Sequence, residues 1–113
     1  MSATLDPAKL AERAVELTQQ SFVFDALALY YVLDEPYASR LLEGGVNAAN
    51  VTFAVEEGWS NALRTIEEGF EKIEKHPLLT LATSTAEIRA AHATGKLAIV
   101  PGPQGASMID KHE

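Results

Sequence analysis

The chain has 113 residues and a mass of 12.2 kDa, of which 47% is hydrophobic and 22% charged, the balance of one globular domain with a core rather than of a disordered, collagen-like or coiled-coil chain. A formal net charge of −7, from 16 acidic and 9 basic side chains, supplies no basic surface for a phosphate backbone and excludes nucleic acid as the expected partner. The absence of cysteine excludes a disulfide framework, a thiolate nucleophile and a cysteine zinc site, so a metal would have to rest on His, Asp or Glu.

The first twenty residues, MSATLDPAKLAERAVELTQQ, have neither the basic start nor the apolar run of a secretory signal. No segment approaches the ~18 apolar residues of a membrane span. The expectation is a cytoplasmic protein with no membrane partner. Asp6 before Pro7 reads as an N-cap with proline in the first helical position, and Leu10, Ala14 and Leu17 repeat at helical spacing. Residues 7–20 are therefore predicted as an amphipathic helix. Residues 22–29, FVFDALAL, are aromatic and branched at the start and predict a buried strand, although 26–29 also suit a helix. Asp34, Glu35 and Pro36 mark a turn, and residues 37–43 a short helix stopped by Gly44 and Gly45.

The pattern then repeats. Residues 46–55, VNAANVTFAV, predict a strand, followed by a Glu56-Glu57-Gly58 loop and a helix with Ser60 as its expected N-cap. On that helix Leu63, Ile66, Phe70 and Ile73 line one face, while Arg64/Glu68, Glu68/Lys72 and Glu71/Lys75 are spaced for ion pairs on the other. His76-Pro77 ends it. Residues 78–82 form a short apolar piece, Ser84-x-x-Glu87 has the form of a capping box, and a helix over 85–94 is stopped by Gly95. A last buried strand over 97–100 leads into a loop, Pro101 to Gly105, and an unpatterned tail. Alternating strands and helices without polar alternation in the strands predict an α/β chain with a mainly parallel sheet, either doubly wound or part of a (βα) barrel.

In such folds ligands meet the carboxyl ends of the strands, which selects residues 25–31, 54–59 and 101–107. Asp25 lies inside an apolar run and needs partners, either N–H donors in a loop or a metal. Glu56 and Glu57 follow a strand, where carboxylates move protons or bind metal, but where they equally suit the start of a helix. Trp59 and the Tyr30-Tyr31 pair are positioned to line a pocket or simply to pack. His76 and His92 read as surface residues at helix positions, and Asp110 and His112 fall short of the three or four convergent ligands of a metal site. Gly102 and Gly105 flank Gln104, yet Pro101 and Pro103 lack the N–H donors of a phosphate cradle.

Three segments together resemble the renal (membrane) dipeptidase family of zinc metallopeptidases. FVFDALAL resembles its opening strand with a D-G-H-x-D motif, LLEGGVNAANVTFAV its R-x-G-G stretch, and STAEIRAAHATGKLAIVPGPQGAS its s-x-x-D-I-x-x-A-x-x-x-G-K segment. The resemblance implies the first third of a (βα)-eight, TIM-type barrel, with residues 1–113 a single incomplete barrel segment and 1–20 its N-terminal helix. It also implies zinc and dipeptide hydrolysis by a metal-bound hydroxide. Asp25 matches the first aspartate of the opening motif, but the metal-ligand positions fall on Leu27 and Leu29, and that of the bridging glutamate on Gln104. The expectation is thus a chain inactive by itself, whose barrel is completed by another polypeptide or by self-association. A second expectation is a non-catalytic acidic α/β subunit that binds a partner protein, and a third a stand-alone small-molecule-binding domain.

Overall fold

The computed structural model describes residues 4–110. Asp6 starts the first helix, α1 (Pro7–Gln20), by accepting the Ala8 N–H at 3.1 Å, with Pro7 at the first helical position as its fixed φ requires. The chain then alternates strand and helix: β1 (Phe24–Ala28), a 3-10 turn (Tyr30–Leu33), α2 (Tyr37–Glu43), β2 (Ala48–Ala54), α3 (Trp59–Lys75), β3 (Leu79–Leu81), α4 (Thr85–Ala93), β4 (Leu97–Pro103) and the single turn α5 (Ser107–Asp110). All strand pairs are parallel, and their order across the sheet is β1-β2-β4-β3.

The α/β class and parallel sheet predicted from the sequence are both present, and the sheet is compatible with part of a TIM-type barrel. Its order adds something the sequence pattern does not carry. The connection from β2 through α3 passes over one strand position to reach β3, and the connection through α4 steps back to insert β4. Right-handed crossovers in opposite directions put their helices on opposite faces of a sheet. The two cores agree: Ala49, Val51, Phe53, Leu97 and Ile99 pack with Ile66 and Ile73 of α3, whereas Ala48 and Ala98 pack with Ile88 and Ala91 of α4. The α3 face is covered along its length. On the other face α4 covers the first residues of β2 and β4.

Several elements differ from their predicted bounds. The strand predicted over 22–29 is shortened to Phe24–Ala28, with a register shift between Asp25 and Ala28, and that over 46–55 to Ala48–Ala54. Gly58, rather than Ser60, takes the N-cap position of α3, which places Ser60 inside the helix. Of the three predicted ion pairs on α3, Glu71 and Lys75 meet at 3.2 Å, but Lys72 reaches across to both oxygens of Asp34 at 2.8 and 2.9 Å and Arg64 bonds Asn61. The Asp34 carboxylate sits in the turn packed against the end of α3, so the tertiary contact displaces the local one. His76 is not a surface residue: its side chain is 11% exposed, its Nδ1 accepts the Leu78 N–H at 3.1 Å, and its Nε2 lies 3.0 Å from Glu35 Oε1.

The strand predicted to stop at residue 100 continues through Pro103. Leu97 N–H donates to Leu78 on the β3 side, while Ala98 N–H and Gln104 N–H donate to Asn47 and Ala54 on the β2 side. By this alternation Pro101 and Pro103 occupy positions whose N–H would face away from β2, beyond the end of β3. Prolines are tolerated in a strand where no ladder donor is lost. The same residues therefore blunt the upper half of that edge.

Candidate functional site

The carboxyl ends of β1, β2 and β4 share one end of the sheet. There Leu29, Tyr30, Thr52, Val55, Glu57 and Thr65 line a cavity of about 350 Å³. Tyr30 enters it from the 3-10 turn, stands edge-on to Phe53 with ring centroids 5.6 Å apart, and donates its hydroxyl to the Thr65 carbonyl at 3.4 Å. Burial raises the Tyr30 hydroxyl above the ordinary tyrosine range, with Lys72, 5.1 Å from the ring centroid, acting in the opposite sense. Glu57 Oε2 accepts the Val55 N–H, closing the turn between β2 and α3. Trp59 is exposed at the start of α3.

The predicted candidates do not converge. Asp25 Oδ1 accepts the Leu27 N–H at 3.1 Å, so this carboxylate forms a local turn at the bulge in β1. It pairs in register with Ala49, whereas Gln104 N–H donates to the Ala54 carbonyl at 2.7 Å. Those positions on β2 are five residues, about 16 Å, apart along the strand. Asp25 is thus near the amino end of the sheet and Gln104 at the carboxyl end. Leu27 and Leu29 are 57% and 49% exposed, and only Leu29 borders the cavity. Gly102 lies under the Asn50 side chain, whose Oδ1 would be 2.8 Å from a Cβ at that position. The spacing of Gly102 and Gly105 is therefore served by side-chain packing at the first and by a positive φ of 89° at the second.

Among the described residues no three His, Asp or Glu side chains are grouped to hold a metal. Nor do Leu27, Leu29 and the neutral amide of Gln104 fit the donor set of a zinc site. The Asp110 side chain and His112 lie outside the described residues. His92 Nδ1 accepts from the Asn47 Nδ2 amide at 3.1 Å, and the ring meets that of Phe22 edge-on at 5.5 Å. It borders a second depression, of about 670 Å³, between α4 and the start of β1, floored by Phe22, Phe24 and Ile88 and rimmed by Arg89. That depression is at the amino end of the sheet, away from the strand ends where the fold places chemistry. Asn47 also accepts the Val23 N–H at 2.8 Å, a half-buried polar bridge that no motif signalled.

The capping box forms with one change of partner. Ser84 Oγ accepts the Glu87 N–H at 3.2 Å, and Glu87 Oε2 accepts from the Thr83 N–H at 2.7 Å and the Thr83 hydroxyl at 3.0 Å. These bonds, the backbone one first, hold the Glu87 carboxyl below the ordinary carboxylate range. Lys72 is shifted upward by its hydrogen bond to Asp34. Both shifts belong to structural ties and neither group touches the cavity.

No family model matches the chain, and no curated protein does. Among solved structures, the crystal structure of an amidohydrolase from Pseudomonas aeruginosa is similar: 30% identity, a TM-score of 0.78, and a match covering 96% of this chain and 31% of that one. The chain thus spans about a third of the length of the protein it matches. These findings correct the resemblance drawn from the three motifs: neither family models nor curated proteins place the chain with the renal dipeptidases, and the similar structure is an amidohydrolase. The D-G-H-x-D likeness rested on Asp25 with Leu27 and Leu29 at its ligand positions, and a motif without its chemistry discriminates poorly between parallel (βα) folds. No helix among the described residues is long and apolar enough to cross a membrane.

Proposed function

We propose that this chain is the amino-terminal part of an amidohydrolase-type hydrolase, contributing its first strands and one wall of the site while the reacting groups come from further (βα) units. The observation that carries this reading is the match of nearly the whole chain, at a TM-score of 0.78 and 30% identity, to 31% of an amidohydrolase. The cavity at the strand ends has the character of a wall. Leu29, Tyr30 and Val55 give it an apolar side, and Gln104 beyond β4 carries an amide able both to donate to a carbonyl oxygen and to accept an amide N–H. The substrate class in this reading is a small amide, dipeptides included. The ligands for any zinc belong to the further units, because Leu27, Leu29 and Gln104 offer no suitable donors.

Hydrolysis of unblocked dipeptides and N-acyl amino acids, followed with zinc present, tests the reading. The purified chain alone is expected to show no turnover, and turnover is expected after refolding with the part of the Pseudomonas amidohydrolase outside the match. Turnover by the chain alone overturns the proposal, as does an inactive complex of the two polypeptides. That second outcome would favour the other reading, a non-catalytic acidic subunit, which the exposed apolar residues of α1 and β1 support.

A further inference from the structure

α1 has fourteen residues and none of them is buried. Near its end it approaches the sheet body, where the Thr18 methyl lies 2.8 Å from the place a Cβ would take on Gly45, a glycine at φ +92°. Helices of this length are marginal in water, and most helical stability in proteins comes from a packed apolar face. Leu10, Val15 and Leu17 on α1 are nevertheless exposed. The match to the amidohydrolase covers 96% of the chain, more than could be reached without most of α1, so its stand-off position fits a larger fold.

The strand that follows α1 is bare in the same way. β1 pairs with β2 on one side, and among the described residues no strand pairs with its other side. Phe22, Phe24, Leu27 and Leu29 are between 44% and 57% exposed along it. At the opposite side of the sheet β3 pairs with Leu97 to Ile99, and beyond it Pro101 and Pro103 remove the donors that a new strand would need. A strand joining the sheet finds a fuller set of partners at β1.

We infer that α1 and the free side of β1 form one continuous docking surface for a (βα) unit of a complementing polypeptide, its strand adding parallel to Phe24–Ala28 and its helix packing on the face of α1 that carries Leu10, Ala14 and Leu17. This rests on the hydrolase-segment reading and names the partner and the place of its attachment. A parallel strand brings its own crossover helix to the sheet, which gives the exposed face of α1 an apolar neighbour in register with the new strand. Because the match covers only 31% of the similar amidohydrolase, the occupant assigned is a polypeptide supplying the part outside the match rather than a second copy.

The test mixes the chain with the polypeptide of the Pseudomonas amidohydrolase that lies outside the match, refolds the two together, and measures mass by light scattering and affinity by titration. A 1:1 complex is expected, weakened at least tenfold in the double variant Leu10→Asp, Leu17→Asp, which alters no residue of the site cavity. The absence of a complex, or a complex indifferent to the double variant, overturns the inference. The chain alone provides a second measurement: a monomer of 12.2 kDa is expected, and a dimer abolished by Leu17→Asp would overturn the inference by making a second copy the occupant. A complex that forms as expected but hydrolyses nothing contradicts the functional reading and leaves the docking surface standing.

Discussion

α3 sets Ala62, Gly69 and Ile73 into the core and sends Lys72 across to Asp34, whereas α1, with apolar residues at similar spacing, buries none of them. The difference lies in what each helix faces. α3 meets β2, β3 and the 3-10 turn within its own chain, whereas α1 buries no residue and touches the turn before β2 at Gly45. An amphipathic period records which side of a helix needs cover. Whether the cover is in the same polypeptide is a separate matter: among the described residues α3 has its cover, and for α1 we propose a further (βα) chain.

Substitutions in the two regions should differ accordingly. Ile99 is fully buried beneath α3, and Ile99→Ala is expected to lower unfolding stability by about 3 kcal/mol in urea titration, the usual range for a large core truncation. Gly69 is next: a Cβ there would run into the Phe53 ring, itself held edge-on between Tyr30 and Phe70. Gly69→Ala is expected to lose about 1–2 kcal/mol despite the better helix propensity of alanine, because overpacking outweighs it. A gain in stability from Gly69→Ala would mean that α3 stands further from the sheet than described.

Smaller effects sharpen the contrast. Ser84→Ala removes the N-cap bond of α4 and is expected to cost about 1 kcal/mol. Its capping partner Glu87 is held below its ordinary range by bonds from Thr83. A depressed carboxyl adds stability above its unfolded pKa and loses it as the pH falls through the folded one. The acid limb of a stability-against-pH curve should therefore flatten in Glu87→Gln, and an unchanged limb would remove the box from the account. The smallest effect belongs to α1. Leu17→Ala in the isolated chain should change stability by less than about 0.5 kcal/mol, as for a surface position, and a loss of 2 kcal/mol or more would show that α1 is already packed.

Much of the fold was legible in local signals. The Asp6-Pro7 start, the glycine stop at Gly44-Gly45 and the Ser84-x-x-Glu87 box all act within a few residues, and each appears where its spacing put it. The order of the strands was not legible, because it depends on the chain leaving one position open beside β2 when it forms β3 and then filling that position with β4. The burial of His76 was hidden for the same reason, since Glu35 comes from a turn forty-one positions earlier. Pro101 and Pro103 read as a loop because proline usually ends a strand, and only the direction of their missing N–H groups explains their place in β4.

The site was legible as an address more than as chemistry. The three strand-end segments were identifiable, and Leu29, Tyr30, Val55 and Glu57 from two of them do line one cavity. Asp25 drew notice because a carboxylate in an apolar run needs partners, and it finds one in the Leu27 N–H. The renal dipeptidase likeness depended on the order and spacing of three segments, and departed from that family at Leu27, Leu29 and Gln104, whose side chains do not carry its chemistry. Likeness of strand and turn segments speaks to the fold, whereas a reaction has to be argued from the side chains of the site.

Amide hydrogen exchange of the purified chain, comparing α1 with α3, tests most directly the proposal that α1 and β1 are surfaces for another (βα) chain. The expected result is exchange at nearly the unfolded rate throughout Pro7–Gln20 together with strong protection across Ala62 to Ile73. Protection of α1 equal to that of α3 in the isolated monomer would contradict the account, because the chain would then already cover the face assigned to its partner.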